Sequence, residues 1–145
     1  MRLFFDTSVL VAASERSHPH HERALPLLQR VAKGEDTGVM SAHSLAEVYA
    51  TLTRLPVQPR IQPAEAQRIV TENILPHFEI VTLTREDYTA VIQDMGARGI
   101  PGARIYDALL LRCAAHSAAD RILTFNLKDF SELAAAAQRE KISAP

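Results

Sequence analysis

The stretch Leu3-Phe4-Phe5-Asp6-Thr7-Ser8 decides how this chain is read. Three apolar residues run straight into an aspartate, and two hydroxyl residues follow. Such a run predicts a short buried strand that ends in a charge. Open α/β sheets place their sites outside the carboxyl ends of their strands, so a charge at the end of a central parallel strand is set where chemistry happens. Asp6 also suits the N-cap of a following helix, but Thr7 or Ser8 can fill that role and leave the carboxylate free. Three later acids, Glu47, Asp107 and Asp129, stand where they can converge on Asp6.

Outward from this strand, strands and helices alternate. A short helix is predicted over Val9 to Ala13, and a polar turn over Ser14 to His21. A helix over Glu22 to Lys33 carries Ala24, Leu27, Leu28 and Val31 at helical spacing and ends at Gly34. A second strand covers Thr37 to Met40. The next helix is capped by Ser41 or Ser44 and stops at Leu55, before Pro56. Pro63 opens another that ends near Pro76. A third strand covers Phe78 to Leu83. Thr84-Arg85-Glu86-Asp87 starts a helix with an acidic first turn, which a loop over Gly96 to Gly102 ends. Arg104 to Ala118 is almost continuously apolar and predicts the most buried helix. Arg121 to Thr124 is a fourth strand, Asn126 to Phe130 a loop, Ser131 to Glu140 a last helix and Lys141 to Ser143 a short edge strand. This alternation predicts an α/β fold with a parallel sheet of about five strands, covered on both faces. A chain of 145 residues fits one domain spanning 1–145.

Composition narrows the class. The single cysteine, Cys113, excludes an internal disulfide and sits among Leu110, Leu111 and Ala114 as a small hydrophobe. No secretory leader and no membrane-length apolar run is present, so a soluble, cytoplasmic protein is expected. The net charge of −1 gives no basic excess of the kind nucleic-acid binders carry. Arg98, Arg104, Arg112, Arg121 and Lys128 flank the two C-terminal acids and read as solvated surface charges.

The acids carry the chemistry. Glu47 lies about 100° off the stripe Leu45, Val48, Leu52 and Leu55, at the edge of the buried face. Ser44 and Glu47 also fit a capping box, which would aim the glutamate away from any site. Asp107 falls in the first turn of the most apolar helix, where a buried carboxylate costs several kcal/mol unless a cation neutralises it. Arg104 or a metal can do so. Thr124 ends a strand as Asp6 does, and Asn126 and Asp129 both reach the same sheet edge; spacing leaves open which points inward. Carboxylates and hydroxyls without nearby His or Cys suit hard cations, Mg²⁺ or Mn²⁺. Such a site does phosphoryl chemistry, with the metal polarising the phosphate and a carboxylate taking a proton from water.

Four segments together resemble the PIN-domain ribonucleases, specifically the VapC toxins of prokaryotic toxin–antitoxin pairs. They are Phe5-Asp6-Thr7-Ser8-Val9-Leu10, Leu45-Ala46-Glu47, Ile105-Tyr106-Asp107-Ala108-Leu109 and Leu123-Thr124-Phe125-Asn126-Leu127-Lys128-Asp129-Phe130. The resemblance implies a three-layer α/β/α sandwich, a pocket holding Mg²⁺ or Mn²⁺, and endonucleolytic cleavage of structured RNA such as tRNA or rRNA. It also implies a homodimer and inhibition by a small antitoxin. By the family's motif Asp6 and Asp107 are the principal metal ligands, and Glu47 completes the site directly or through water. Asn126 occupies a place often held by an acid, so Asp129 substitutes or the fourth ligand is weak. Thr7, Ser8 and Thr124 are implied as hydroxyls that orient the carboxylates. A non-catalytic PIN domain that binds RNA or a protein is the rival reading. His18, His20 and His21 match no zinc spacing and read as a solvated loop. His43 reads as core or surface, and His116 as packed or hydrogen-bonded.

Overall fold

Side-chain alternation along β1 (Arg2–Phe5) sets the layers of the fold. Leu3 and Phe5 point into one core cluster and Phe4 into the other, each at most 2% exposed. A strand buried on both faces needs helices on both, and the chain supplies them. The computed structural model describes residues 1–145. Five strands form one parallel sheet in the order β3-β2-β1-β4-β5, with β2 at Thr37–Ser41, β3 at Phe78–Val81, β4 at Arg121–Leu123 and β5 at Ile142–Ser143. α1 (Thr7–Ser14), α2 (His21–Ala32), α3 (Ala42–Arg54) and α4 (Pro63–Arg68) cover one face. α5 (Arg85–Arg98), α6 (Arg104–His116) and α7 (Leu127–Leu133) cover the other. A four-residue helix, α8 (Ala136–Arg139), leads into β5. The expected three-layer α/β/α sandwich with five parallel strands is what forms.

β1 pairs with β2 on one side and with β4 on the other. Strand order reverses there, which makes the carboxyl ends of β1 and β4 the place where a crevice opens. Leu3 pairs with Arg121 and Phe5 with Leu123. That register brings Asp6 beside Thr124, and the Asp6 N–H donates to the Leu123 carbonyl at 3.0 Å.

Several boundaries differ from the sequence reading, each for a local reason. α1 begins at Thr7, not Val9, because Asp6 takes the N-cap position with its side chain turned elsewhere. Gly96 does not end α5; the helix runs on to Arg98 and stops at Gly99, whose φ of 64° is the left-handed conformation that glycine adopts freely. Thr84 and Asp87 form the capping box at its start. The helix begun at Pro63 loosens into a π turn over Ile69–Ile74 and a 3₁₀ turn over Leu75–His77, where Pro76 withholds an N–H. Residues 127–130, read as loop, are the first turn of α7, and the chain breaks at Ala134 before α8.

Gly38 marks the tightest approach in the sheet. A Cβ there would lie 2.6 Å from Val31 Cγ1 and 2.8 Å from the Phe78 ring. Gly38→Ala is therefore expected to lower stability by about 1–3 kcal/mol through overpacking, read as a fall in the urea midpoint at unchanged m-value.

Candidate active site

The Asp6 carboxylate is only 5% exposed. Its Oδ2 accepts from Ser8 Oγ at 2.6 Å and from Thr124 Oγ1 at 2.8 Å. The Thr7 and Ser8 backbone N–H groups face it and favour its charge, without making an aligned cap bond. Burial outweighs these donors and raises its pKa above the usual carboxylate range. Ser8 Oγ also accepts from the Phe125 N–H at 3.2 Å, and Thr124 Oγ1 accepts from the Asn126 N–H at 2.9 Å. The two hydroxyls thus tie the ends of β1 and β4 around one charge. Thr7 faces the neighbouring carboxylate instead: its hydroxyl favours the charge of Glu47 and hydrogen-bonds with Ser44 Oγ at 2.9 Å, a buried bond between α1 and α3.

Ser41 caps α3, accepting from the His43 N–H at 3.1 Å. Ser44 is buried inside the helix, so no capping box forms and Glu47 is free to face the pocket. Glu47 Oε1 is buried with no hydrogen-bond partner. His43 Nε2 lies 3.0 Å from it, a close electrostatic contact without an aligned hydrogen bond. Burial raises the Glu47 pKa; nearby Asp6 adds to this and His43 opposes it. Asp107, half-buried in the first turn of α6, is pushed up to about 6. Burial is the main cause, followed by repulsion from Asp6, Asp129 and Glu47.

Arg104 does not neutralise Asp107. It reaches Glu132 at 2.7 Å and approaches Asp129 at 3.9 Å. Asn126 mediates between the acids instead: its Nδ2 donates to Asp107 Oδ2 and to Asp129 Oδ2, both at 3.1 Å. An amide nitrogen is the only orientation that satisfies two carboxylates at once. Asn126 lines the pocket with Asp6, Glu47 and Asp107, in a cavity of about 580 Å³. Asp129 stands behind it, with a side chain 37% exposed.

The same cavity is walled by residues the sequence reading set aside. His18, Pro19, His20 and Phe125 line it, although the histidines read as an open loop. The His20 ring stacks on Phe125 at 4.4 Å between centroids. A faint signal was present: Phe125 follows Thr124 directly, so its ring had to lie beside the site. His116 is hydrogen-bonded, as read, to Asp87 at 2.8 Å.

Oxygen donors dominate the pocket, and such a set suits a hard divalent cation. Glu47 Oε1, a buried anionic oxygen without a partner, fits one. Asp6, Asp107 and Glu47 are the residues placed to hold it. The acids share one pocket without closing into a ready-made group of three ligands, as their mutual repulsion dictates.

The PIN domain family profile matches residues 3–136. The chain belongs to the PIN domain family. Ribonuclease VapC27 of Mycobacterium tuberculosis is 30% identical over 118 residues, 81% of this chain and 80% of that protein. Ribonuclease VapC40 of the same organism is 32% identical over 124 residues, 85% of each. Among solved structures, Mycobacterium tuberculosis VapC20, a sarcin-ricin loop cleaving toxin, aligns with a TM-score of 0.67 at 18% identity, over 90% of this chain and 93% of that one. VapBC2 from Rickettsia felis, bound to a DNA fragment from their promoter, aligns at 0.65 and 20% identity over 99% and 98%. These two structural likenesses bear on the fold alone.

An acid whose pKa is raised on folding holds a proton that the unfolded chain has released. For Asp107 that window runs from the ordinary 3.8 to about 6, and its contribution to stability falls as pH rises through it. In EDTA, Asp107→Asn is expected to melt above wild type by about 1–4 °C near neutral pH. The gap should close towards about pH 4. A gap that widens on acidification contradicts this picture of repelling carboxylates.

Proposed function

We propose that this chain is a divalent-metal-dependent endoribonuclease and the toxin of a VapBC-type toxin–antitoxin pair. The observation that carries the reading is the convergence of Asp6, Glu47 and Asp107 on one pocket. Membership of the PIN domain family and the ribonuclease names of its relatives support it. Bound Mg²⁺ or Mn²⁺ would polarise the scissile phosphate and offset charge on the leaving oxygen. Asp6 and Asp107 are its proposed principal ligands, with Glu47 beside them and Asn126 or Asp129 in the fourth place. Ser8 and Thr124 hold Asp6 in position, and the Asn126 amide fixes one oxygen of Asp107. Glu47, with a pKa raised by burial and His43 Nε2 3.0 Å from its Oε1, is the carboxylate fitted to take a proton from the attacking water.

Structured RNA, tRNA or rRNA, is the proposed substrate, a choice supported by the sarcin-ricin loop activity in the name of VapC20. A small cognate antitoxin is the proposed partner, supported by the fold's likeness to VapBC2. A homodimer is the proposed assembly, and Tyr88 with Ile92, one turn apart on α5 and both exposed, offer an apolar strip for it. No helix is long and apolar enough to cross a membrane, and the cytoplasm is the proposed compartment.

The test incubates the purified chain, free of antitoxin, with total tRNA and rRNA in Mn²⁺, Mg²⁺ or EDTA. Discrete products are expected with metal, absent in EDTA and reduced at least about a hundredfold in Asp6→Asn and Asp107→Asn. Cleavage that survives both substitutions contradicts the site. No cleavage together with no Mn²⁺-induced rise in Tm favours a non-catalytic PIN domain, to which Asn126 in an acidic position lends weight.

A further inference from the structure

Of the five cationic side chains flanking the C-terminal acids, the four arginines are tied into the fold and the exposed Lys128 stays open to solvent. Arg98 binds the Glu132 and Leu133 carbonyls, Arg104 binds Glu132, Arg112 binds Asp87 and Arg121 binds Ser143. With a net charge of −1 as well, the phosphate backbone meets little free positive charge near the cut. Affinity for a nucleic acid has to come from another source.

Two aromatic pairs flank the carboxylates. On the side of β4, the His20 and Phe125 rings stack 18° from parallel, and the Arg23 guanidinium lies 5.6 Å from the Phe125 centroid. On the side of α3 and α6, the His43 and Tyr106 rings lie 7° from parallel with centroids 5.6 Å apart. Tyr106 immediately precedes Asp107, and His43 touches Glu47. Phe125 packs, partly buried, against the core, while the other three rings reach solvent: Tyr106 is 49% exposed, His43 is exposed and His20 is half-buried. Both pairs are nonetheless held still. The His20 N–H donates to His18 Nδ1 at 3.1 Å, a His21 ring nitrogen meets the Ala12 carbonyl at 2.9 Å, and His43 and Tyr106 stand on first turns of helices. Flat rings that are pre-ordered and open to water are what unpaired nucleobases stack on.

Resting on the ribonuclease reading above, we propose that the His20–Phe125 and His43–Tyr106 pairs are stacking platforms for unpaired nucleobases on either side of the scissile phosphate. The substrate segment is then single-stranded at the cut, a loop or bulge, even where the RNA as a whole is folded. Paired bases would keep their faces inside the duplex and gain nothing from the rings.

The probe is a single-stranded RNA oligonucleotide carrying 2-aminopurine, whose fluorescence is quenched when the base stacks. The protein is the full chain with Asp6→Asn and excess Mn²⁺, so that the probe stays whole. Saturable quenching is expected. Adding His20→Ala or Tyr106→Ala should weaken binding about tenfold and remove quenching at that side, while His20→Phe and Tyr106→Phe restore it. The rise in Tm on adding Mn²⁺, read for the same ring substitutions in the chain with Asp6 intact, should equal that of wild type, which separates stacking from damage to the acidic pocket. Unchanged affinity and quenching without the rings overturns the proposal, as does equal binding of the probe annealed to its complement. Ring-dependent quenching by a chain whose wild type cuts no RNA leaves the platforms standing and removes the ribonuclease reading instead.

Discussion

The Asp6 carboxylate lies almost wholly out of water, at the end of a strand that is itself in the middle of the sheet. A charge in that position is disfavoured, and the surroundings answer it in two ways. Ser8 and Thr124 donate to it from both neighbouring chain segments, and its pKa nevertheless stays raised. The register of β1 with β4, the start of α1 at Thr7 and the turn at Phe125 all serve those two hydrogen bonds. Placing Glu47 and Asp107 in the same pocket then makes the electrostatics worse, and Asp107 shows it most. A fold selected for stability alone would not gather these acids. Their gathering in one pocket marks a place where function outweighs stability.

Much of this was legible because the signals were local. Three apolar residues before Asp6 gave the strand, and the apolar run after Asp107 gave the buried helix. Ser41 as the cap of α3 released Glu47 from a competing role, as the resemblance to the PIN domains required. What stayed hidden depended on tertiary context. Asn126 and Asp129 were indistinguishable until α7 was seen to start at Leu127, which makes Asn126 its N-cap and puts Asp129 in its first turn. Gly96 looked like a break because glycine disfavours helix by about 1 kcal/mol, yet the packing of Val91 and Met95 carried α5 through it. His18 and His20 looked solvated because nothing in their spacing says that the turn after α1 folds back over the sheet edge.

The pocket therefore joins two kinds of surface that composition alone keeps apart. Its floor is anionic and built from the ends of β1, α3 and α6. Its walls are aromatic and built from a turn and a strand end. The arginines that would give a nucleic-acid binder its usual basic face are drawn into ties between helices, as Arg98 joins α5 to α7 and Arg112 joins α6 to Asp87. The near-neutral net charge is a count over the whole chain, and says little about what the pocket takes.

The Asp6–Thr124 bond joins residues 118 apart in the chain. Asp6 is synthesised well before β4 and Thr124, which follow it in the chain. Until they arrive, β1 lacks one of its two neighbours and the acidic residues have no shared pocket. A chain that stops short of β4 therefore cannot assemble the pocket, whatever fragment of the sheet has already formed.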